Sequence, residues 1–558
     1  MKLLGSIKEY GWIDFSYRLI EKMQGAFNRD EITYSNENVE LKYVDIVHKP
    51  LISIVVPVYN TPKVFLIEMI ESVLNQTYDN LQLCILNGGS TSDEVHTIIS
   101  KYALKDSRIT YSKQECNEGI AKNTNKAIRL AKGDYVALLD HDDLLTSDAL
   151  MECVKVINES NPDVIYSDED KVTSDGKKFL QPHHKPNWSP DTLRSYNYIC
   201  HFLVMRRTVL EKVNLFREGV DGSQDYDLIL RLSNVTQSIE HIPKILYHWR
   251  ISASSTAGNS LNKKYTFDAG RKALENYFED LDTNVSVSKG AFPGSYSIEY
   301  NNLWINSNVT IIAIGEWEDE ETIIKYYKEL KESIQWTNYS LFIINKGRLL
   351  SDFKKTHEIK NLKIINTKNY IRQIDLLAKE VKDEFIFIVD SNVKILNKNW
   401  INIMLSHANN DETVIIGPKL ITKRKIYSFG IALTKNKILD FHKNKHRRFF
   451  GYFGRARISQ NVSAVSPKLI MFRKSFFDSV DGFDLKYESL ISIIDFCVKA
   501  SKANKYIKLI PFELGEMKYY DKIQNREFPE IDLKVFFEKH SSFLVEDDPF
   551  FSIKKIKF

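Results

Sequence analysis

Apolar residues in the first half of the chain occur in short runs that alternate with segments of helical periodicity. The runs LISIVVPVYN (51–60), LQLCILN (81–87) and YVALL (135–139) are typical of strands that are buried on both faces. Between the first two, Ile67, Ile70 and Leu74 recur at helical spacing, and another helix is predicted over 120–131. Strands that alternate with helices predict a doubly wound, mostly parallel α/β sheet.

The same pattern starts again near residue 308. The runs NVTIIAI, YSLFIIN and DEFIFIVDSN predict the strands of a second sheet, and VDGSQDYDLILRL in the first half parallels VDGFDLKYESLISIIDFCVKA in the second. We therefore predict two copies of one domain. The expected boundaries are a helical N-terminal segment (1–48), a first domain (49–256), a linker (257–306) with a helix over 266–278, a second domain (307–525) and a C-terminal tail (526–558).

The composition argues against several classes of protein. A formal net charge of +4 over 558 residues gives no reason to expect nucleic acid as a partner. The five cysteines are scattered and form no CxxC pair, which argues against structural zinc and favours a reducing cytoplasm. No apolar run has the length of a membrane-spanning helix, and no signal peptide opens the sequence. We predict a cytoplasmic protein.

The two ends of the chain allow a peripheral contact with the inner face of the plasma membrane. Trp12, Phe15, Leu19 and Met23 recur at helical spacing beside basic residues, and the chain closes on FFSIKKIKF. Either the first helix packs on the body and the tail is solvated, which we favour, or these segments lie on a membrane surface.

Carboxylates directly follow the predicted strand 135–139. Side chains alternate along an extended segment, so Asp140 and Asp142 are expected to point into one cleft. Ligands of doubly wound sheets bind beyond the carboxyl ends of strands, where 57–60 and 87–90 are also expected. Two neighbouring carboxylates suit Mg²⁺ or Mn²⁺, which bind phosphates of a substrate as well. The alternative is an acidic surface turn.

The motifs around these carboxylates resemble those of inverting family 2 glycosyltransferases of GT-A fold. They are SIVVPVYN, NGGSTSDE, NEGIAKNTNKAIRLAKGDYVALLDHDDLL, GSQDYDLILRL and HIPKILYHWR, in this order. The segments SDEDK, QPHHKPNWSPDTLRSYNYI and AFPGSYSIEYN are similar to those of tandem bacterial enzymes of O-antigen, rhamnan and capsular polysaccharide assembly. The resemblance implies two GT-A-like domains and transfer of a sugar from a nucleotide diphosphate to a hydroxyl of a bacterial surface polysaccharide or glycoprotein glycan.

The resemblance also implies the donor site. Pro57, Val58 and Tyr59 would line the nucleobase pocket. Asn87 and Gly88 stand where the family usually carries an acidic pair that reads the pyrimidine. Because an asparagine oxygen can accept one hydrogen bond from an imide N–H, a UDP- or dTDP-sugar is still the expected donor.

Metal binding and proton transfer are assigned in the same way. Asp140 would approach the ribose or the diphosphate, and Asp142 with His248 would hold Mn²⁺ or Mg²⁺. An inverting transfer needs one carboxylate to accept the proton of the attacking hydroxyl, and Asp225 is the predicted general base. Asp227 is its rival, interpreted as a charge at the start of a helix.

The acceptor is expected to be a glycan, a lipid-linked glycan or a glycoprotein, and homo-oligomerisation is left open. Trp188, with the neighbouring His183 and His184, is a candidate surface on which an acceptor sugar stacks. A tryptophan that only fills the core is the equally weighted alternative.

The second copy lacks most of these groups. Asp390 stands at the position of the first strand-end aspartate, but Asn392 replaces the predicted metal ligand, Ile493 replaces the predicted base, and no histidine stands where His248 would lie. We predict that this copy transfers no sugar. The alternatives are that both copies are active, or that the protein is a non-catalytic glycan-binding scaffold. A nucleotidyltransferase would need a glycine-rich loop after the first strand, and the sequence there, PVYNTPK, is not one. A processive membrane synthase is disfavoured because the sequence contains no QxxRW motif.

Overall fold

The computed structural model describes residues 46–251, 260–301, 303–347, 362–518, 528–553 and 555. The predicted N-terminal helix with Trp12, Phe15, Leu19 and Met23 lies outside these residues. Contacts within the chain divide it into two compact units, Met1–Ile298 and Glu299–Phe558. The division falls inside the predicted linker 257–306.

The first unit is built on a mostly parallel sheet. Its strands are β1 (Ile52–Val58), β2 (Leu81–Asn87), β3 (Ile109–Lys113), β4 (Tyr135–Leu138), β5 (Leu144–Leu145), β6 (Val164–Thr173), β7 (Phe179–His183), β8 (Leu203–Arg206) and β9 (Ile239–Ile251), and the hairpin β10 (Val285–Lys289) and β11 (Tyr296–Tyr300) follows. Its helices are α1 (Lys63–Leu74), α2 (Asp93–Ala103), α3 (Ile120–Ile128), α4 (Ala149–Ser160), α5 (Pro190–Ser195), α6 (Arg207–Lys212), α7 (Gln224–Val235) and α8 (Ser260–Asp280). The strand order is β3-β2-β1-β4-β8-β6-β9-β5, with β7 on β6.

The continuous apolar runs explain why the central strands lie in the middle of this sheet. Every residue of β1 and of β2 is buried, because helices cover both faces of a parallel sheet. Helix α1 presents Leu66, Met69, Ile70 and Val73 to this core. The carboxyl ends of β1, β2 and β4 therefore reach the same edge, where the predicted site residues follow.

The second unit repeats this architecture. Its strands are β12 (Val309–Gly315), β13 (Tyr339–Asn345), β14 (Leu362–Asn366), β15 (Phe385–Asp390), β16 (Val393–Ile395), β17 (Thr413–Ile421), β18 (Ile426–Ser428), β19 (Ile431–Thr434), β20 (Lys437–Asp440), β21 (Gln460–Asn461), β22 (Leu469–Arg473) and β23 (Tyr506–Met517). Its helices are α9 (Glu320–Glu332), α10 (Tyr370–Glu380), α11 (Trp400–Ser406), α12 (Lys474–Ser479), α13 (Ile491–Lys502) and α14 (Glu530–His540), with a 3₁₀ segment at Tyr452–Arg457.

The strand order of the second sheet, β14-β13-β12-β15-β22-β17-β23-β16, matches that of the first strand for strand. Even the direction reversal is kept, because β8 runs antiparallel to β4 and β22 runs antiparallel to β15. The predicted fold class, two doubly wound GT-A-like domains in tandem, is confirmed. The predicted C-terminal tail contains α14, which buries Phe536 and His540.

Within the described part of the chain, no helix has both the length and the apolar character needed to cross a membrane. The cysteines Cys84, Cys116, Cys153, Cys200 and Cys497 are free thiols.

Candidate functional site

The ends of β1 and β2 form the predicted nucleobase side of the site. Val58, the last residue of β1, lies opposite Asn87, the last residue of β2. Pro57 and Val58 are buried, whereas Tyr59 is 39% exposed. The side-chain oxygen of Asn87 accepts a hydrogen bond of 2.9 Å from the backbone N–H of Ser90. The structure thus brings the four residues to one edge of the sheet, and their contact with a base stays a prediction.

The acidic loop after β4 is anchored by a third aspartate. Asp140 is exposed, Asp142 is half-buried, and Asp143 is completely buried. One carboxylate oxygen of Asp143 accepts a hydrogen bond of 2.5 Å from the hydroxyl of Tyr247, and the other accepts one of 2.7 Å from the backbone N–H of Arg250. Asp143 therefore fixes the loop to β9, while Asp140 and Asp142 remain at the sheet edge.

The guanidinium of Arg250 supports the same loop from behind. It is buried, and it donates to the backbone carbonyl of Asp142 at 2.7 Å and to the carboxylate of Glu68 on α1 at 2.6 Å. The sequence pattern YHWR drew attention only to His248, although the residues on either side of it hold the acidic loop. A buried arginine in a strand needs such partners, which is the signal that could have identified its role.

Negative charge accumulates in this loop. Burial raises the pKa of Asp142, where His141 opposes the shift and Asp140 adds to it. The pKa of Asp143 is raised well above its ordinary value by burial, and the charges of Asp140 and Asp142 add to the shift. Carboxylates that repel each other in this way form a donor set that a divalent cation would stabilise.

One group of side chains has the spacing of a metal site. Ligand atoms of Asp140, Asp143 and His201 all lie within 4.8 Å of one another. The ring of His201 stacks on that of Tyr247, with centroids 4.5 Å apart and planes inclined by 10°. Sequence reasoning did not identify His201, which follows no motif of metal ligands and reaches the acidic loop only through the fold.

The two predicted metal ligands, Asp142 and His248, are not in that group. The Nδ1 atom of His248 lies 2.6 Å from a carboxylate oxygen of Asp170 on the neighbouring strand β6. A carboxylate that holds one ring nitrogen orients the other, which is the usual arrangement behind a metal-binding histidine. The assignment of Asp142 and His248 stays a prediction.

Asp225, the predicted base, lies at the start of α7 and belongs to the same electrostatic site. Its carboxylate accepts a hydrogen bond of 2.9 Å from the side-chain amide of Asn197. Burial raises its pKa, His201 opposes this shift, and Asp140 adds to it. Asp225 is therefore close enough to the acidic loop for the two charges to repel each other.

The rival carboxylate, Asp227, serves the fold. It is buried, and its carboxylate accepts a hydrogen bond of 2.8 Å from Nε of Arg231, one turn along α7. The Nη2 atom of the same guanidinium lies 2.7 Å from that carboxylate oxygen, as an ion pair. Both of these side chains are internal to the helix packing, so Asp227 is committed to an ion pair.

A buried lysine positions the segment that carries Asn197 and His201. The side chain of Lys185 is fully buried, with its ammonium 3.1 Å from the carboxylate of Glu169. The ammonium also donates to the backbone carbonyls of Ile199, at 2.5 Å, and of His201. The three consecutive acidic residues in SDEDK could have indicated such a partner, because carboxylates in a buried strand must be paired.

The predicted acceptor residues are tied to the same strand. The Nδ1 atom of His184 lies 3.0 Å from the carboxylate of Asp168, and that of His183 lies 3.6 Å from the carboxylate of Glu169. Trp188 is half-buried, and its indole N–H is buried without a hydrogen-bond partner among the described residues. Stacking of a sugar on this tryptophan stays a prediction.

The second unit fills the corresponding positions differently. Asp390 ends β15 as expected, and its carboxylate forms a 2.9 Å ion pair with Lys468. The registers of β4 with β8 and of β15 with β22 place Lys468 at the position of His201. An ammonium thus neutralises the aspartate without a metal ion. The register of β16 with β23 likewise places Glu516 at the position of His248.

The end of β12 is covered by an indole ring. The backbone N–H of Trp317 donates to the side-chain oxygen of Asn345 at 3.1 Å, and only 8% of the residue is exposed. Its ring packs on Gly315, where a Cβ would lie 2.5 Å from it, and on the ring of Tyr326 at 5.1 Å. Because Gly315 pairs with Asn345 as the last residue of β1 pairs with that of β2, the ring covers the edge equivalent to the predicted nucleobase side.

Comparisons with known proteins identify relatives of both units. Residues 53–213 match the family model described as Glycosyl transferase family 2. An uncharacterized protein of Sinorhizobium fredii is 32% identical over 81% of this chain and 51% of its own length. The O-antigen biosynthesis protein of Myxococcus xanthus is 26% identical over 79% of this chain and 35% of its own length. The chain thus spans about half or less of the length of these two relatives.

A shorter relative is covered more completely. An uncharacterized glycosyltransferase of Methanocaldococcus jannaschii is 30% identical over 209 residues, which are 36% of this chain and 71% of that protein. This relative and the matched family model, whose residues include the acidic loop, show that the chain belongs to glycosyltransferase family 2.

Proposed function

We propose that the first unit is a metal-dependent inverting glycosyltransferase, which moves a sugar from a UDP- or dTDP-sugar to a hydroxyl of a bacterial surface polysaccharide or glycoprotein glycan. One observation carries this proposal. Asp225, a carboxylate oriented by an amide and with a raised pKa, lies within electrostatic reach of Asp140 in the acidic loop. A single displacement requires two groups in one cleft: a base for the proton of the attacking hydroxyl, and a cation site for the departing diphosphate.

In this reaction Asp225 accepts the proton of the acceptor hydroxyl as the oxygen attacks the anomeric carbon from the face opposite the leaving diphosphate. The amide of Asn197 keeps one carboxylate oxygen in place. A raised pKa makes the carboxylate a stronger base than an exposed aspartate, provided that it is ionised at the working pH. No second carboxylate is needed as a nucleophile, because the product forms in one step with inversion.

The donor would lie across the ends of β1, β2 and β4. Pro57, Val58 and Tyr59 would contact the base, and the oxygen of Asn87 would accept the imide N–H. The hydrogen bond from Ser90 uses one acceptor direction of that oxygen, and a carbonyl oxygen has two. Asp140 would face the ribose or the diphosphate.

The residues of the acidic loop fit a divalent cation, Mn²⁺ or Mg²⁺. Oxygen-rich sets of carboxylates with one histidine suit these ions, and the raised pKa of Asp142 reflects buried negative charge. Asp142 and His248 would hold the ion, with Asp140 beside them. When bound, the ion supplies positive charge that stabilises the departing nucleoside diphosphate.

The acceptor would be a glycan, a lipid-linked glycan or a glycoprotein, and the site of action the cytoplasm or the inner face of the plasma membrane. The match to a protein of O-antigen biosynthesis supports a polysaccharide acceptor. Trp188 and His184 are the proposed acceptor contacts. We propose no nucleic acid as a partner, and homo-oligomerisation would be measured by light scattering.

A donor screen tests the proposal directly. We expect one pyrimidine nucleotide sugar to be hydrolysed slowly in the presence of Mn²⁺, and the release of the nucleoside diphosphate to stop in excess EDTA. Mass spectrometry of an added oligosaccharide would report transfer. A protein that binds glycans but releases no nucleoside diphosphate from any UDP-, dTDP- or GDP-sugar would instead be the non-catalytic scaffold.

The second unit is proposed to transfer no sugar. Asp390→Ala should leave the rates of donor hydrolysis and transfer close to those of the wild type, because Lys468 rather than a metal ion neutralises this carboxylate. The variant should melt at a lower temperature, since removing Asp390 strands a largely buried ammonium. Asp140→Ala, the same change at the equivalent position of the first unit, is the matched control and should lose activity. If Asp390→Ala eliminates one of two separable transfers, the second unit is a working enzyme.

A further inference from the structure

The second unit contains a strongly basic stretch that the small net charge of the chain conceals. Between Lys419 and Arg457 there are twelve lysines and arginines and a single acidic residue, Asp440. The whole chain has 77 basic and 73 acidic residues, so the remainder is net acidic. Such a segregation of charge requires a physical explanation that the transfer reaction does not supply.

The fold joins two parts of this stretch into one surface. The backbone N–H of Ile426 donates to the carbonyl of Lys445 at 2.8 Å, and that of Asn444 donates to the carbonyl of Ile426 at 2.9 Å. The N–H of Arg447 donates to the carbonyl of Arg424 at 2.9 Å. The turn before β18 and the segment after β20 therefore lie side by side. Their cations form what we call the basic face: Lys423, Arg424, Lys425, Lys445 and Arg448.

No carboxylate among the described residues neutralises the charges of the basic face. Four of its five residues are exposed, Lys445 is half-buried, and within the described residues none of the five forms an ion pair. The nearby carboxylate of Glu513 is bound by Arg447 and lies 3.9 Å from Lys419. Burial, together with Arg457 and Arg447, lowers the pKa of Lys419 to about 8. The region thus keeps a positive potential that an external anion could neutralise.

An aromatic side chain lies next to the basic face. Phe449 is half-buried, and the ammonium of Lys445 lies 5.8 Å from the centroid of its ring. Tyr452 and Phe453, which follow within four residues in the chain, are half-buried as well. Aromatic rings and long basic side chains, which combine an apolar body with a polar end, are favoured where an apolar phase meets water.

We propose that the basic face docks the second unit on a membrane surface rich in anionic phospholipid. Exposed cations on two adjoining turns, with the half-buried ring of Phe449 beside them, fit the phosphates of a headgroup layer, which are mobile and need no fixed hydrogen-bond geometry. This docking is independent of which sugar is transferred, and it would hold the enzyme where a lipid-linked acceptor lies.

The test uses the full-length protein and vesicles of phosphatidylcholine with or without phosphatidylglycerol. We expect co-sedimentation with the anionic vesicles only, and its loss at high salt. The triple variant Lys423→Gln, Arg424→Gln, Lys425→Gln should bind roughly a hundredfold more weakly, on the order of fivefold per cation. The pair Lys445→Gln, Arg448→Gln tests the other turn and should weaken binding as well.

A matched triple variant separates the basic face from net charge. Lys325, Lys328 and Lys331 are exposed on α9 of the same unit, and their change to glutamine removes the same charge. This control should bind like the wild type. Equal loss in both triple variants would overturn the proposal, as would a wild type that ignores anionic vesicles. Binding of dextran sulfate in the absence of vesicle binding would assign the surface to an anionic glycan instead.

Discussion

Replacing Asp225 with asparagine is expected to leave the affinity for the nucleotide-sugar donor almost unchanged and to lower turnover roughly 10²–10⁴-fold, the usual contribution of a general base. Asparagine keeps the shape of the side chain and can still bond to Asn197, which holds the carboxylate at 2.9 Å. The change removes the negative charge and, with it, the ability to accept a proton. Calorimetry with the donor and initial rates at saturating acceptor measure the two effects separately.

Asp227→Asn is the matched control, two residues along the same helix. Asp227 is paired with the buried Arg231, so its change should lower the melting temperature and leave the rate per folded molecule near that of the wild type. The assignment of the base fails if Asp225→Asn loses donor affinity while turnover at saturation persists, or if Asp227→Asn shows the larger loss of turnover.

The stability of Asp225→Asn provides an independent check on the environment of this residue. Burial raises the pKa of Asp225 above that of the unfolded chain. A carboxyl group with a raised folded pKa adds no cost when both states are protonated. It destabilises the folded state increasingly as pH rises from the unfolded pKa to the folded pKa, and the cost is constant above that. Asparagine never ionises. The variant should therefore be at least as stable as the wild type at neutral pH, with the difference in Tm shrinking in acid.

The fold could be predicted because its signals are local. Runs such as SIVVPV and FIFIV, short and rich in β-branched residues, are typical of buried strands, and the helical spacing of residues such as Ile70 predicts the helices between them. The repeat of the pattern in the second half then predicts the duplicated sheet. The order in which β6, β8 and β9 assemble is not local, and the sequence contains no signal for the antiparallel direction of β8.

The site could be predicted only where a residue belongs to a recognisable motif. Asp140, Asp142 and Asp225 stand in such motifs. Asn197, which holds Asp225, and Arg250, which holds the backbone of Asp142, act across long sequence separations and belong to no motif that would mark these roles. Their partners become visible only when the strands are paired, because a buried polar side chain is explained by what lies opposite it.

In the second unit, the missing residues could be predicted from the sequence, but the residues that take their place in space could not. The replacement of the proposed metal ligand and the proposed base by Asn392 and Ile493 could be predicted from an alignment of the two halves. That Lys468 neutralises the remaining aspartate, and that Trp317 covers the equivalent of the nucleobase edge, depends on strand register and on one ring orientation. Both findings strengthen the proposal that this copy transfers no sugar.

Asp142→Ala is expected to abolish transfer and to weaken donor binding when Mn²⁺ is present. The carboxylate is half-buried beside Asp140 and has a raised pKa, so its removal relieves repulsion and should not lower the melting temperature. With EDTA in excess, the wild type and the variant should bind the donor equally weakly, because the lost interaction runs through the cation. Asn392→Ala, at the equivalent position of the second unit, is the matched control and should change neither quantity.

Two further variants test which histidine would complete the proposed metal site. The proposal predicts that His248→Ala weakens Mn²⁺ binding, measured by the electron paramagnetic resonance signal of the free ion, because Asp170 orients the ring of His248 as a ligand. If His201→Ala weakens it instead, the ion lies in the group of Asp140, Asp143 and His201, whose ligand atoms are within 4.8 Å. Full activity of Asp142→Ala, or of the wild type in EDTA, would contradict a metal site in this loop altogether.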